Sequence, residues 1–128
     1  MTIPFWCLII AIVIPYLIAG ISVYFKNQQF GTVDNNSPRV QAASLEGAGA
    51  RALAAQQNAW EALAVFTAAV VIASLTDADP TKSAMASIIF VIARCFHAGF
   101  YIADLASLRS LSFGVGFVSC LYLIGLGV

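Results

Sequence analysis

The sequence predicts an all-α transmembrane protein whose protomer is a single four-helix bundle over residues 1–128. Two observations predict this class. Of the 128 residues, 61% are apolar and only 9% are charged, whereas a soluble domain carries about 25% charged residues. The apolar residues also fall into four stretches, each long enough to cross a bilayer, for which a helix needs about 20 residues. This composition excludes a disordered chain, a disulfide-rich scaffold and the common nucleotide-binding folds.

The first predicted span, residues 3–25, is a retained helix rather than a cleaved signal peptide. No basic segment precedes it, and its uncharged run is longer than the apolar core of a secretory signal. Pro15 lies inside it, so we expect a kink there. A polar cytoplasmic loop is predicted at residues 26–49, with turn-forming residues at Asp34–Asn36 and a helix boundary before Pro38.

Three more spans are predicted at residues 50–75, 83–105 and 111–128. The second is rich in alanine, which lets helices approach closely in lipid, so we expect it inside the bundle. The last is near the lower length limit for a span. Cys7, Cys95 and Cys120 lie far apart in apolar stretches, a spacing that suits neither a disulfide framework nor a metal site. We interpret them as buried thiols.

The basic residues of the connecting segments predict the orientation of the chain. Lys26, Arg39 and Arg51 belong to the first connection and Arg109 to the third, whereas the second holds only Lys82, beside two aspartates. Under the positive-inside rule, connections one and three are cytoplasmic and both termini lie outside the cytoplasm. A net charge of zero gives no reason to expect a nucleic acid as a partner. Membrane lipids are the expected surroundings.

Two stripes of polar residues interrupt the second and third spans. In the second span they are Arg51, Asn58 and Glu61. In the third span they are Arg94, His97, Tyr101 and Asp104. Their spacing places each set on one helix face. A charge near the bilayer centre costs about 2.5–3.5 kcal/mol on insertion scales, so we expect these residues to face a partner or a wet cavity.

The two spans run antiparallel, so residues at equal depth have numbers that sum to a constant. A sum near 155 pairs Glu61 with Arg94. The same register pairs Asn58 with His97 and Arg51 with Asp104, and all three pairs are chemically complementary. We therefore predict a buried ion pair between Glu61 and Arg94 near the midplane, since either charge alone would cost several kcal/mol.

Two interpretations of the stripes remain open. They can hold the helices together, as polar side chains do in many membrane bundles. They can also form a site, because His97, Tyr101 and Arg51 approach the predicted cytoplasmic mouth, where Arg109 and Ser110 lie at the start of the fourth span. A helix N-terminus with an arginine beside it favours an anion, including a thiolate.

At these residues the sequence resembles the membrane-associated proteins in eicosanoid and glutathione metabolism, the family of the microsomal glutathione transferases. The segment Asn58-Ala-Trp-Glu61 is similar to the family's Asn-x-x-Glu signature. The segment from Arg94 to Tyr101, followed by Arg109, is similar to its third-helix motif and the arginine beyond it. The first loop and the segment LASLRSLSF resemble in particular a bacterial branch of the family.

This resemblance implies a homotrimer in the bacterial inner membrane that binds glutathione as a co-substrate, between subunits near the cytoplasmic side. By motif position the catalytic residues would be Arg109, which would stabilise the glutathione thiolate, and Tyr101. The glutathione-binding residues would be Arg51, Asn58, Glu61, Arg94, His97, Tyr101 and Ser110. The expected function is a glutathione-dependent transferase or peroxidase that acts on lipophilic electrophiles delivered by the bilayer.

Two other functions remain open. Gln56 and Gln57 stand where well-studied eukaryotic members of that family carry basic residues. This difference is compatible with a non-catalytic protein of the same fold that has a structural, lipid-binding or small-molecule-binding role, since a fold does not by itself establish an activity. A small transporter is the third candidate, although no repeated halves mark a transport pathway.

Overall fold

The helices of the computed structural model, which describes residues 1–128, follow the four apolar stretches in order. They are α1 (Ile3–Phe30), the short α2 (Pro38–Ala43), α3 (Gly47–Leu75), α4 (Pro80–Ile102) and α5 (Ala106–Gly125). All except α2 are long and apolar enough to cross a membrane, and no residue forms a β-strand. The prediction of an all-α protein with four spans is therefore confirmed.

Local sequence signals determine where the helices begin and end. Prolines occupy the first turn of α1, α2 and α4, where a backbone N–H would have no intrahelical partner. The Asp79 side chain accepts a hydrogen bond from the Lys82 backbone N–H at 2.8 Å and so caps α4. Gly31 ends α1 at φ 78°, a left-handed conformation that glycine adopts without strain. Pro15 is buried inside α1, which continues through it as one helix.

Helices α1 and α3 are longer than a bilayer requires. With 28 and 29 residues, at a rise of 1.5 Å per residue, they are roughly 42 and 44 Å long, against about 30 Å of hydrocarbon. Their extra turns lie together at the end of the bundle that carries α2, here called the α2 end, and those of α1, from Lys26 to Gln29, are polar. The segment 26–49 is therefore mostly helical rather than an open loop.

Glutamine side chains hold the first connection in place. Gln29 Nε2 donates to the Ser44 carbonyl and Gln29 Oε1 accepts from the Glu46 N–H, both at 2.9 Å. Gln41 in α2 donates to the Thr32 carbonyl at 2.8 Å. Backbone N–H and C=O groups in the non-helical parts of this connection have no helical hydrogen-bond partner, and the two glutamine amides bind some of them. The connection therefore has a defined conformation at the α2 end.

The four long helices pack as two pairs. Helix α1 lies along α3 and α4 lies along α5, while α3 and α4 contact each other, and α1 does not reach α5. Ala52, Ala55 and Ala59 on α3 are at most 6% exposed and allow neighbouring helices to approach closely. Toward the chain termini, the rings of Phe66 and Phe90 stack with their centroids 3.9 Å apart. This aromatic pair anchors α3 on α4.

The outer surface of the spans is apolar, as a bilayer requires. Leu17, Val118 and Leu121, for example, are each more than half exposed. Cys7 and Cys120 are buried, as predicted, but Cys95 is exposed. The prediction of a buried thiol is wrong at Cys95 because consecutive helix residues are about 100° apart, which turns Cys95 away from the buried face that holds Arg94.

Gly49→Ala should destabilise the protein, because α1 and α3 approach closely at this residue. A β-carbon at Gly49 would lie 3.0 Å from both Leu45 Cδ2 and Phe25 Cβ. The helices would have to move apart, at a cost of about 1–3 kcal/mol for overpacking. Thermal unfolding in one detergent measures the change. Gly20→Ala is the matched control, because a β-carbon there meets nothing within 4 Å. Equal melting temperatures for the two variants would contradict the prediction.

Candidate functional site

A buried arginine connects the polar residues of α3 and α4. Arg94 is 4% exposed, and its Nη2 donates to Asn58 Oδ1 at 2.6 Å. Asn58 Nδ2 in turn donates to Glu61 Oε2 at 3.4 Å. The amide therefore links the guanidinium to the carboxylate. We call these three residues, Arg94, Asn58 and Glu61, the Arg94 network.

The predicted direct ion pair between Glu61 and Arg94 is wrong, because Arg94 binds the Asn58 amide one helical turn away. The predicted pairing of Asn58 with His97 is also wrong, since the Asn58 oxygen accepts from Arg94. The register itself is close to the prediction, because the stacked Phe66 and Phe90 have numbers that sum to 156. The register gives which residues of α3 and α4 lie at the same height along the bundle. It does not determine which atom a long arginine side chain will reach.

Arg51 binds the end of α4 rather than Asp104. Its Nε donates to the Ile102 carbonyl at 3.0 Å, and so satisfies one of the last carbonyls of the helix, which lack an intrahelical partner. Asp104 lies beyond the helix end, in the left-handed conformation at φ 62°. It has therefore left the helical face that the sequence spacing assumed, and the predicted pair is wrong for this reason. The Nη1 and Nη2 atoms of Arg51 remain available for a ligand.

Three side chains from α4 and α5 stack on one another at the α2 end. Arg109 Cζ lies 4.6 Å from the centroid of the Tyr101 ring, a cation–π contact. The Tyr101 ring meets His97 edge-on, with the centroids 5.6 Å apart. His97 is 2% exposed, and its Nδ1 has no hydrogen-bond partner. We call these residues the Arg109 stack. It contains one cation and one buried nitrogen without a hydrogen-bond partner in the protein.

Ser110 is separated from the other predicted site residues. It is exposed on α5 and lines an outer groove between α4 and α5 together with Leu111 and Gly114. Its neighbour Arg109 turns the other way and covers Tyr101. Adjacent helix positions point about 100° apart, so a site built around Arg109 does not include Ser110 within one protomer.

A cavity between α3, α4 and α5 opens onto the Arg94 network. Its volume is about 230 Å³, and its lining includes all three residues of the network. Ligand sites commonly measure about 300–1,000 Å³, so this cavity is too small to enclose a tripeptide. Within one protomer it can form only part of a binding site.

Two residues of this cavity were missed by sequence analysis. Phe113 forms one wall, and Gly116 lies against Arg94, because a β-carbon at Gly116 would be 3.5 Å from Arg94 Cδ. The signal was present in the sequence: Ser112, Gly116 and Ser119 are spaced by four and three residues, which places small side chains on one face of α5. All three are buried in the structure.

Glu61 lies on the outside of the protomer at the midpoint of α3. The helix runs from Gly47 to Leu75, and the Glu61 side chain is exposed. A carboxylate that faced lipid at this depth would be costly. Ala64 and Ala68 continue the same exposed stripe, and their small side chains would let another helix approach. We call this stripe, formed by Glu61, Ala64 and Ala68, the Glu61 face. It is suited to contact with a second protomer or a ligand.

The chemistry of these groups favours a ligand that carries charges of both signs. Arg51, Arg94 and Arg109 can donate to carboxylates or to another anion, and the exposed Glu61 can accept from an ammonium group. His97 adds a nitrogen without a protein partner. No group of three or more His, Cys, Asp and Glu side chains comes together in a way that could hold a metal ion.

Asn58→Ala should destabilise the protein, because it leaves the buried Arg94 guanidinium without its acceptor. The loss of a hydrogen bond to a charged group costs about 1.5–3 kcal/mol. The free energy of unfolding in detergent measures the effect. Gln57→Ala, at an exposed neighbouring position, is the matched control and should change stability by less than about 0.5 kcal/mol. Equal losses in the two variants would show that the Arg94 to Asn58 hydrogen bond contributes nothing.

Comparison with known proteins agrees with the motifs on α3 and α4. The chain matches the MAPEG family over residues 3–128, which is nearly its whole length. No curated protein matches it. The family match covers all four spans and both parts of the candidate site, the Arg94 network and the Arg109 stack. The chain therefore belongs to the MAPEG family, the membrane-associated proteins in eicosanoid and glutathione metabolism.

Proposed function

We propose that the protein is a glutathione-dependent transferase or peroxidase that acts on lipophilic electrophiles in the bacterial inner membrane. The observation that carries this proposal is the grouping of cationic and anionic side chains on α3, α4 and α5. The Arg94 network opens to the outside of the protomer through its cavity, and the Arg109 stack lies about one to two helical turns closer to the α2 end. Membership of the MAPEG family supports glutathione as the polar co-substrate.

The donor set suits glutathione, which carries two carboxylates, one ammonium and one thiol. The free nitrogens of Arg51 and the guanidinium of Arg94 would bind carboxylates, and Glu61 and Asn58 would bind the ammonium and the peptide groups. Each such charged hydrogen bond is worth about 1.5–3 kcal/mol. These contacts would position the tripeptide and leave its thiol for the Arg109 stack.

The proposed mechanism is thiolate attack with Arg109 as the group that stabilises the anion. A free thiol has a pKa of about 8.5, and lowering that value by one to two units requires about 1.4–2.7 kcal/mol. A guanidinium near the start of α5, where the helix dipole also favours negative charge, can supply this energy. The face of the Arg109 guanidinium rests on Tyr101, while its N–H groups, which lie in the guanidinium plane, can point at sulfur.

Tyr101 holds Arg109 in place and can donate its own hydroxyl hydrogen to the thiolate or to the oxygen of an electrophile. The sulfur would form the new bond to an electrophilic carbon, and the displaced group would leave with the bonding electron pair. In a peroxidase reaction the sulfur would attack one peroxide oxygen, the O–O bond would break, and the other oxygen would leave as an alkoxide that takes up a proton. The thiol of a second glutathione would then react with the resulting sulfenic acid to give the disulfide and water. The apolar outer surfaces of the spans would admit the second substrate from the bilayer.

We further propose that the protein is a homotrimer, with the α2 end in the cytoplasm and both termini outside. The Glu61 face supports assembly, because a second subunit would cover a carboxylate that otherwise faces lipid. The small size of the cavity supports the same proposal, since a neighbouring subunit would complete the binding site. The basic residues Lys26, Arg39 and Arg109 lie toward the α2 end, which supports its cytoplasmic placement.

Arg109→Ala should abolish most of the thiolate while it leaves most of the glutathione binding. Purified protein is titrated with glutathione, and the ultraviolet absorbance of the thiolate is recorded with binding measured in parallel. We expect the thiolate fraction at neutral pH to fall about tenfold or more, and kcat to fall about 10²-fold or more, as when other anion-stabilising donors are removed. Arg39→Ala, at an exposed position in α2, is the control and should change neither.

The same titration separates catalysis from the alternative, a non-catalytic membrane protein. That alternative is favoured by one observation: Arg94 is buried and bonded to Asn58, as a purely structural residue would be. A structural role predicts that glutathione neither stabilises the protein against heat nor produces a thiolate signal. A thiolate signal in the wild-type protein, lost in the Arg109 variant and kept in the Arg39 variant, would exclude it.

Ala64→Phe should prevent trimer formation, because the ring would keep another helix away from the Glu61 face. The mass of the protein without its detergent, from light scattering, should fall from that of three chains to that of one. Ile88→Phe, on the exposed side of α4, is the matched control and should stay trimeric. A trimer in the Ala64 variant would show that this face of α3 is not the subunit contact.

A further inference from the structure

A second, larger groove lies between α4 and α5, on the outer surface of the protomer. Its volume is about 680 Å³, and it shares no lining residue with the cavity at the Arg94 network. The groove extends along α5 from Ser110 to Tyr122. At 1.5 Å per residue this is roughly 18 Å, close to the thickness of the hydrocarbon in one leaflet, which is half of about 30 Å. Measured from its Tyr122 end, the groove is therefore long enough to hold one lipid acyl chain down to the bilayer midplane.

The floor of the groove is apolar and suits a hydrocarbon chain. Ala86 is 4% exposed and Ser119 is 7% exposed, and both lie at its base. The Ser119 hydroxyl donates to the Val115 carbonyl of its own helix at 2.9 Å, so it offers no unsatisfied polar atom. At Gly114 a β-carbon would meet nothing within 4 Å, which means that the absence of a side chain there keeps the groove open. A polar ligand would gain nothing along this floor.

One end of the groove carries a cation. Lys82 and Tyr122 line it at the end where α4 begins. The backbone N–H of Lys82 donates to Asp79 Oδ1, but its ammonium group makes no hydrogen bond to the protein. Tyrosine is enriched at the interface of a bilayer, and lysine side chains near helix ends extend to the same level, where lipid headgroups lie. The groove thus has a cation at headgroup level and an apolar channel that runs from it into the membrane.

We propose that this groove binds a phospholipid from the leaflet that contains the α3–α4 turn, with its phosphate at Lys82 and one acyl chain along Ala86, Gly114 and Ser119. The positive charge at one end selects a phospholipid over a neutral lipid with the same acyl chains. The site is independent of the proposed glutathione chemistry, because it lies on other residues and is tested by lipid binding alone.

The test measures binding of two probes to the purified full-length protein in detergent, by thermal stabilisation. The probes are dioleoyl phosphatidylglycerol and dioleoylglycerol, which has the same chains but no phosphate. The phospholipid should bind at least about tenfold more tightly, as expected for one charged hydrogen bond. Lys82→Gln should remove this preference, whereas Lys26→Gln, at the opposite end of the bundle, should keep it. Equal affinities in the wild-type protein, or an unchanged preference in the Lys82 variant, would overturn the proposal.

A second variant fills the channel itself. Gly114→Leu should weaken the binding of both probes about tenfold or more, while Gly20→Leu, at an equally open position on α1, should have no effect. Glutathione-induced stabilisation is recorded for both variants and should remain, so that loss of lipid binding is not confused with failure of the proposed function. Undiminished lipid binding in a folded Gly114 variant would contradict the site.

A third measurement needs no variant, so it tests for lipid in the groove even if Gly114→Leu does not fold. Phosphatidylglycerol with a diazirine in one acyl chain is irradiated with the wild-type protein, and the adducts are mapped by mass spectrometry. Adducts concentrated on Met85, Ile89 and Val118 would support the site. Adducts spread evenly over all four spans would indicate ordinary surrounding lipid. Absence of adducts from the groove would indicate that another subunit covers it. Either of the last two results would overturn the proposal.

Discussion

The hydrogen bond between the Arg94 guanidinium and the Asn58 amide is the interaction on which the arrangement of three helices depends. Inside a membrane no water is present to solvate an unpaired cation. A buried arginine therefore needs space for the aliphatic part of its side chain and a hydrogen-bond acceptor for its guanidinium group. Gly116 on α5 provides the room and Asn58 on α3 provides the acceptor. One side chain of α4 therefore constrains how both neighbouring helices approach it.

The same hydrogen bond explains why a polar group is exposed on the otherwise apolar outer surface of the protomer. Because Asn58 satisfies Arg94, the Glu61 carboxylate is left at the outer end of the network, where it is exposed at the midpoint of α3. Helices α1 and α3 are long enough to extend beyond the bilayer at the α2 end, and Arg51 closes the end of α4 there. The Arg109 stack lies at this same end. A single protomer thus displays polar groups that suit a partner subunit and a polar ligand.

Much of the fold could be predicted from the sequence, and the errors all concern the direction or the reach of a side chain. The apolar stretches predicted four spans, and the polar spacing on α3 and α4 correctly brought Arg94 close to Asn58 and Glu61. The pairing within that group was wrong, because the level of two backbones does not determine which atom a long side chain reaches. Asp104 was misplaced because it adopts a left-handed turn. Cys95 was misjudged because one residue step turns a helix by about 100°.

The sequence by itself determined two properties of this chain: it has four membrane spans, and it carries the motifs of the MAPEG family on α3 and α4. Both follow from local properties, since the length of an apolar run and the spacing of a motif do not depend on how helices pack. The tertiary structure decided that Asn58 links Arg94 to Glu61, that Arg109 rests on Tyr101, and that a groove open at Gly114 leads away from Lys82. These features depend on how the helices cross and on where each side chain points. Both are determined by contacts between residues that are far apart in the sequence.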